Sequence, residues 1–533
     1  MKKILFYKLD NTHQSQLSSS FYKNMNVSHL QPYMPSYTKF FTYYNNNSYQ
    51  SYIPRSKEIV YSLLNKKEID ESDNYIKHVF ETKLISKQKC DTYSVKDVFV
   101  KTIPMLDPIE YCKNQYRKSN HFLPNIFSWM TQKKINDTNN AAYVENLASY
   151  ILSNITERNE CPSFPYYYGG FIGTINSYKY DATQEWDDLL EAPWFKQACN
   201  SNKVSIEMKE NQQYTDFMED SFIHHNVSDE EQGSLQLDEL EELLETLDLN
   251  TTENKNEEEN ENRNDEVMSN EVMSDVEELE SDFELEYCNS EEESLNDNLE
   301  KYRWIKWLCF KEFPVVLCCM EKMEYTLEEL YENNTPCETE WKSILFQICF
   351  ALAIAYRKYK FIHNDFHSCN IMFVSTNQEY LYYKVKNEKF KIPTYGKLVK
   401  IIDFNRAIYS IGKHQFFSDV FKNNGDAEGQ YDYPYNKHEG IRPPNPSFDL
   451  ARLATTIYEY FPRNSEIFNM CKKWTTDNYG NCLLEEEDSF DLYIKLSQNI
   501  KNARPEEQLY ESIFDLFRIE NTTQVNEKVY TLY

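Results

Sequence analysis

Three polar side chains in the second half of the chain have types and spacing suited to handling phosphate. Asp365 stands five residues before Asn370 within Phe361-Ile-His-Asn-Asp-Phe-His-Ser-Cys-Asn-Ile-Met-Phe-Val374, with apolar residues on either side. A second carboxylate, Asp403, ends the hydrophobic run Leu398-Val-Lys-Ile-Ile-Asp403. Phosphoryl transfer needs a base or orienting group for the incoming hydroxyl, and hard oxygen ligands for magnesium near the nucleotide phosphates. Two carboxylates and one amide on short loops at strand ends supply that inventory. Taken singly each is weak, since Asp-x-x-x-x-Asn recurs by chance and an Asp after a strand is usually a cap or a turn. Their order along the chain carries the reading.

The elements that must position these groups can be read around them. From Glu338, the residues Trp341, Ile344, Leu345, Ile348 and Leu352 follow the spacing of an amphipathic helix that delivers the chain into Phe361. Val98-Phe-Val-Lys101 reads as a strand and Phe313–Met320 as a buried one. Ala141–Ile155 reads as a helix capped by the Asn, Asp and Thr residues before it. Between the two carboxylate segments, Tyr380-Leu-Tyr-Tyr-Lys-Val and Phe390-Lys-Ile predict an extra hairpin. Asn445-Pro-Ser-Phe-Asp-Leu begins an apolar helix with Asp449 near its start, a common place for a capping carboxylate.

In this order the parts resemble the catalytic core of the protein-kinase superfamily. His363, Asp365 and Asn370 match the catalytic loop His-Arg-Asp-Leu-x-x-x-x-Asn at its spacing, and Asp403-Phe404-Asn405 matches Asp-Phe-Gly except at the third residue. The resemblance covers roughly Lys101 to Tyr460 and is specific for fold rather than for substrate. It implies an α+β, bilobal architecture: a small β-rich lobe with one main helix and a larger, mainly helical lobe. It also implies ATP and Mg2+ as cofactors. Asp365 would accept the substrate proton, with His363 in the same catalytic motif, and Asn370 and Asp403 would hold magnesium. Lys101 would contact the nucleotide phosphates and Glu145 would be its helix partner. Glu321 and Met323, in the hinge Met320-Glu-Lys-Met323, would read adenine through backbone groups, and Asp449 would anchor the catalytic loop. The strings His363-Asn-Asp-Phe-His-Ser-Cys-Asn, Pro393-Thr-Tyr-Gly and Ile401-Ile-Asp-Phe-Asn-Arg-Ala resemble the kinase-like proteins of giant DNA viruses.

The departures are specific. No glycine precedes Gly169, so a glycine-rich phosphate loop ahead of Lys101 is absent. Phe99 stands where the family has a small alanine over adenine, and Ser149 where the helix partner is usually apolar. Asn364 replaces the arginine that grips a phosphorylated activation loop. Asn405 replaces a glycine, and Asn tolerates positive φ better than most residues. Asp403 follows Asn370 by 33 residues, a long interval for this family.

Composition bounds the rest. The 533 residues carry 56 basic and 86 acidic side chains, net −30, with 41% hydrophobic residues, enough for a substantial core. The acidity is local: positions 229–300 hold 29 acidic and 2 basic residues, and the remainder is nearly balanced. That stretch reads as a solvated, disordered insert, with a docking tail for a basic partner as the alternative. The expected domains are an unassigned extension over 1–60, a small lobe over 61–325 carrying the insert at 229–300, and a large lobe over 326–533. Thirteen scattered cysteines without a Cys-x-x-Cys pair argue against zinc ribbons and disulfide frameworks. No run approaches the ~18 apolar residues of a membrane span, and the start lacks a signal-peptide core. An intracellular monomer is expected, in host cytoplasm or virion if viral, with a protein substrate of basic character and no nucleic-acid or membrane partner. Three functions stay open: a serine/threonine protein kinase, a pseudokinase scaffold, and a small-molecule kinase of the choline or aminoglycoside type.

Overall fold

Asp10 opens a helix that the polar N-terminal sequence does not advertise, its carboxylate accepting from the His13 amide. In this helix, α1 (Asn11–Met25), the buried stripe is one residue wide: His13, Leu17, Phe21 and Met25. Asn26 ends it in the left-handed conformation, and β1 (Val27–Gln31) follows directly. The computed structural model describes residues 4–40, 51–67, 78–87, 91–113, 115–116, 133–210, 304–423, 425–431, 444–486, 489–520 and 525–533. The chain divides into two units, one of 1–178 with 311–533 and one of 179–310.

In the first unit, β1 joins β2 (Ile59–Lys66), β3 (Val79–Ser86), β4 (Thr92–Pro104), β5 (Tyr167–Ile175) and β6 (Phe313–Glu321) in one antiparallel sheet of order β1-β5-β6-β4-β3-β2. All of β5, and all of β6 but its last residue, are buried. That explains their continuous apolar runs, because a strand covered on both faces has no reason to alternate. Helix α2 (Ala141–Glu157) packs on β5 and β6 and is capped by Asn140, whose side chain accepts from the Ala142 amide. Gly170 makes that approach feasible, since a Cβ there would lie 1.9 Å from Asn146 Oδ1.

The remainder of this unit is built on α3 (Glu338–Tyr359), buried almost throughout from Glu340 to Ala355 and ended by Lys360 at φ 53°. After it come β7 (Ile371–Ser375), β8 (Tyr380–Val385), β9 (Glu388–Pro393) and β10 (Lys397–Ile401), then α4 (Phe448–Ile457), α5 (Phe490–Asn499) and β11 (Val529–Thr531). The expected hairpin is present as β8–β9, and β11 adds to it in parallel. Phe346 and Phe350 of α3 pack their rings 5.3 and 4.6 Å from Tyr383 of this hairpin. The hairpin is therefore held to the core helix by aromatic burial.

The second unit has a three-stranded sheet centred on Trp304–Phe310, antiparallel to Val204–Glu210, with two short helices at Trp186–Glu191 and Pro193–Asn200. The acidic stretch 229–300, including the leucine-spaced segment 235–249, lies outside the described residues, as does the connection 68–77 between β2 and β3. The architecture is mixed α+β, consistent with a kinase-like fold. Among the described residues no helix is long and apolar enough to cross a membrane.

Candidate active site

Strand pairing decides which polar groups meet. β7 begins directly after Asn370, β10 stops two residues before Asp403, and Ile371 faces Ile401 in their antiparallel register. The Ile402 amide then donates to the Asn370 carbonyl at 3.1 Å. The long interval between Asn370 and Asp403 is thus taken up by the β8–β9 hairpin without separating the two loops.

The loop from His363 to Asn370 is held from three sides. The amides of His363 and Asn364 donate to the two oxygens of Asp449, at 2.9 and 3.0 Å, from the first turn of α4. Burial pushes Asp449 up to about 7, against the two amides that favour its carboxylate. His363 is fully buried, and its Nε2 lies 2.7 Å from the Ile402 carbonyl. Burial holds its imidazole below the ordinary value, so the neutral ring donates to that carbonyl. His363 therefore reaches the site through the backbone next to Asp403. Asn364 takes φ 65°; its side-chain Nδ2 donates to the Arg406 carbonyl and its Oδ1 accepts from the Tyr431 hydroxyl. A neutral amide here bonds both ends of the following segment directly, where an arginine would await a phosphate. Asn370 Nδ2 donates to the Asp365 carbonyl at 2.7 Å and lies 3.0 Å from His367 Nε2, so neither contact uses its Oδ1.

On β4, Lys101 extends its ammonium to two carboxylates from elsewhere in the chain. Its Nζ is 2.6 Å from Glu145 Oε1 and 3.0 Å from Asp403 Oδ2. Burial works against the charged ammonium, but Asp403 and Glu145 outweigh it and hold Lys101 above the usual lysine range. Burial pushes Glu145 up to about 7 despite Lys101. Asp403 also faces a burial cost, yet Lys101 keeps it below the ordinary carboxylate value. Glu145 is 1% exposed, so it is no surface helix glutamate. Ser149 at the next turn satisfies its hydroxyl on the Glu145 carbonyl. The helix carrying Glu145 is also fixed from the segment after Asp403: the Tyr409 hydroxyl donates to the Val144 carbonyl, and the Ala141 amide to Asp419.

Positive φ falls at Asp403 itself, φ 61°, and not at Asn405, where the missing glycine suggested it. Strain of this kind collects at functional sites. Among the described residues, the buried Oδ1 atoms of Asp403 and Asn405 have no hydrogen-bond partner.

The remaining expected residues are placed less directly. Glu321 donates its amide to the Tyr166 carbonyl, and its carboxylate accepts from Lys400 at 2.8 Å. Met323 is buried just beyond it. Phe99 is half-buried, pairs with Met320 across the strands, and shares the Lys101 face of β4, whereas Val98 and Val100 are fully buried on the other. Two residues that local spacing does not single out also reach Asp365: Tyr493, 128 residues later, and Arg406, three residues after Asp403. Only the Asp-Phe-Asn-Arg string hinted at the second, and no local signal marks the first.

No family model matches the chain. It is 28% identical over 160 residues to the serine/threonine-protein kinase haspin of Bos taurus, covering 30% of this chain and 20% of that protein. It is 29% identical over 98 residues to the haspin homolog of Drosophila melanogaster, covering 18% of this chain and 17% of that protein. A probable serine/threonine-protein kinase of Dictyostelium discoideum is 36% identical over 87 residues, 15% of this chain and 7% of that protein. These likenesses support a protein-kinase-like chain. The protein-kinase-like match spans about a fifth of the haspins it resembles.

Proposed function

We propose that this chain is an ATP-dependent phosphotransferase acting on serine or threonine of a protein substrate. The observation that carries the reading is the Lys101 ammonium shared between Glu145 and Asp403 at 2.6 and 3.0 Å. An ammonium fixed by two carboxylates is pre-aimed for nucleotide phosphates, and fixed charge at the point of transfer is the main source of catalysis in this chemistry. Asp365 takes the proton of the incoming hydroxyl. The backbone groups of Glu321 and Met323 serve adenine.

The residues present fit a magnesium ion. Asp403 Oδ1 is buried and without a partner, and the contacts of Asn370 leave its Oδ1 for another use. Among the described residues no group of three or more His, Cys, Asp and Glu is placed to hold a metal. One carboxylate and one amide suit an ion that keeps several waters and takes its other oxygens from phosphates. When bound, magnesium would offset the phosphate charge. On this reading the six-stranded sheet with α2 is the small lobe, the elements from α3 onward are the large one, and residues 229–300 are an acidic insert that favours basic substrates. The likeness to giant-virus kinases rests on sequence strings alone.

Phe99 motivates a second reading, a pseudokinase scaffold, because its half-buried ring lies on the face that carries Lys101. A thermal shift with millimolar Mg-ATP separates the two. A raised melting temperature is expected for the enzyme, and none for the scaffold. Turnover of choline or an aminoglycoside in place of a basic protein would instead point to a small-molecule kinase.

A further inference from the structure

We propose that Tyr493 is the positioning residue for the carboxylate of Asp365, an assignment that rests on reading Asp365 as the base. The Tyr493 hydroxyl donates to Asp365 Oδ1 at 3.0 Å, and Arg406 Nη1 stands 3.6 Å from the same oxygen. Both contacts fall on one oxygen, so neither occupies Oδ2. A carboxylate gripped this way is fixed in rotation and presents its second oxygen to an incoming hydroxyl. Within the loop no side chain takes that task, because His367 directs its ring to Asn370.

The tyrosine is itself held. Its ring lies 5.9 Å from Phe448 and 6.1 Å from Phe490, with the guanidinium groups of Arg452 and Arg406 at 4.7 and 5.4 Å from its centroid. Arg452 is 5% exposed and donates to Thr455, so this cation is built into α4. Helix α5 is fastened in turn: Ser497 donates to the Gln430 carbonyl, and Asn445 Nδ2 to the carbonyls of Leu496, Ser497 and Ile500. The hydroxyl is therefore delivered to Asp365 by a fixed helix, and a fixed donor spends no reorganisation when the substrate arrives.

Tyr493→Phe keeps the ring and its packing and deletes only the hydroxyl. The test measures transfer from ATP to myelin basic protein by wild type, Tyr493→Phe and Asp365→Asn, with Mg-ATP thermal shifts as a check on fold and nucleotide binding. The expected result is a kcat lowered by about tenfold in Tyr493→Phe, with KM for ATP and the thermal shift unchanged. The loss should fall on kcat alone, with KM for the protein substrate also unchanged, as expected of a residue that aims Asp365 without touching substrate. An unchanged kcat in Tyr493→Phe, or a fall accompanied by a raised KM for ATP or a lost thermal shift, overturns the Tyr493 assignment while an inactive Asp365→Asn leaves the base standing. Wild-type transfer by Asp365→Asn, or no transfer by wild type, overturns the underlying reading and this assignment with it.

Discussion

Lys101 Nζ lies 2.6 Å from Glu145 Oε1, although 44 residues separate the two in the chain. The contact joins the sheet to the helix beside it, and Asp403 adds a third corner from the loop after β10. Removing the ammonium leaves Glu145 and Asp403 facing each other without a cation. Lys101→Met should therefore lower phosphoryl transfer by about 10²-fold or more, on the scale of losing one fixed electrostatic donor. Steady-state transfer from ATP checks this, and near-wild-type turnover would remove Lys101 from the mechanism.

Glu145 gives a pH signature with two opposite senses. Its carboxyl sits at about 7, against an ordinary 4.5, because burial outweighs the pull of Lys101. A group that binds its proton more tightly in the folded chain stabilises the fold at low pH, and that contribution is lost as pH rises from 4.5 through about 7. Turnover runs the other way, because the ion pair with Lys101 needs the carboxylate. Activity should therefore rise through about pH 7, and Glu145→Gln should flatten both profiles. Melting curves and kcat between about pH 5 and pH 8 read the two effects separately.

Asp449 anchors the loop that carries Asp365, accepting the amides of His363 and Asn364 inside the core. Asp449→Ala orphans both donors, at about 1–3 kcal/mol each. Denaturant unfolding should show a loss of at least about 2 kcal/mol, larger than for Asp449→Asn, which keeps one acceptor. Equal stability of Asp449→Ala and wild type would show that the loop has another anchor.

Phe99 shares the Lys101 face of β4, and on the proposed reading its ring crowds the adenine. Phe99→Ala should tighten ATP binding, by up to about tenfold, as measured by calorimetric titration. Weaker binding would make the ring part of the pocket wall.

Much of this site was legible locally because its parts abut regular elements. Asn370 and Asp403 flank strands whose apolar runs are plain, Asn140 marks the start of α2, and the β8–β9 hairpin explains the long interval between the two loops. What was not legible depends on tertiary packing. Helix α1 buries one residue per turn, too narrow a stripe to stand out among Asn, Gln and Ser. β1 is a strand because β5 offers it an edge. The left-handed residue is Asp403 and not Asn405, and it is Asp403 whose carboxylate meets Lys101, a tertiary contact that local sequence does not announce. Tyr493 meets Asp365 across 128 residues, a contact no spacing rule anticipates.

Phosphoryl transfer that depends on Asp403 is the most direct consequence of this site. Radiolabel from ATP should pass to a basic protein in the presence of magnesium with the wild-type chain. Asp403→Ala should lose that transfer while retaining a cooperative melt, since it removes a proposed magnesium ligand from a loop and not a residue of the hydrophobic core. Transfer by Asp403→Ala at the wild-type rate, or none by a folded wild type that binds Mg-ATP, would contradict it.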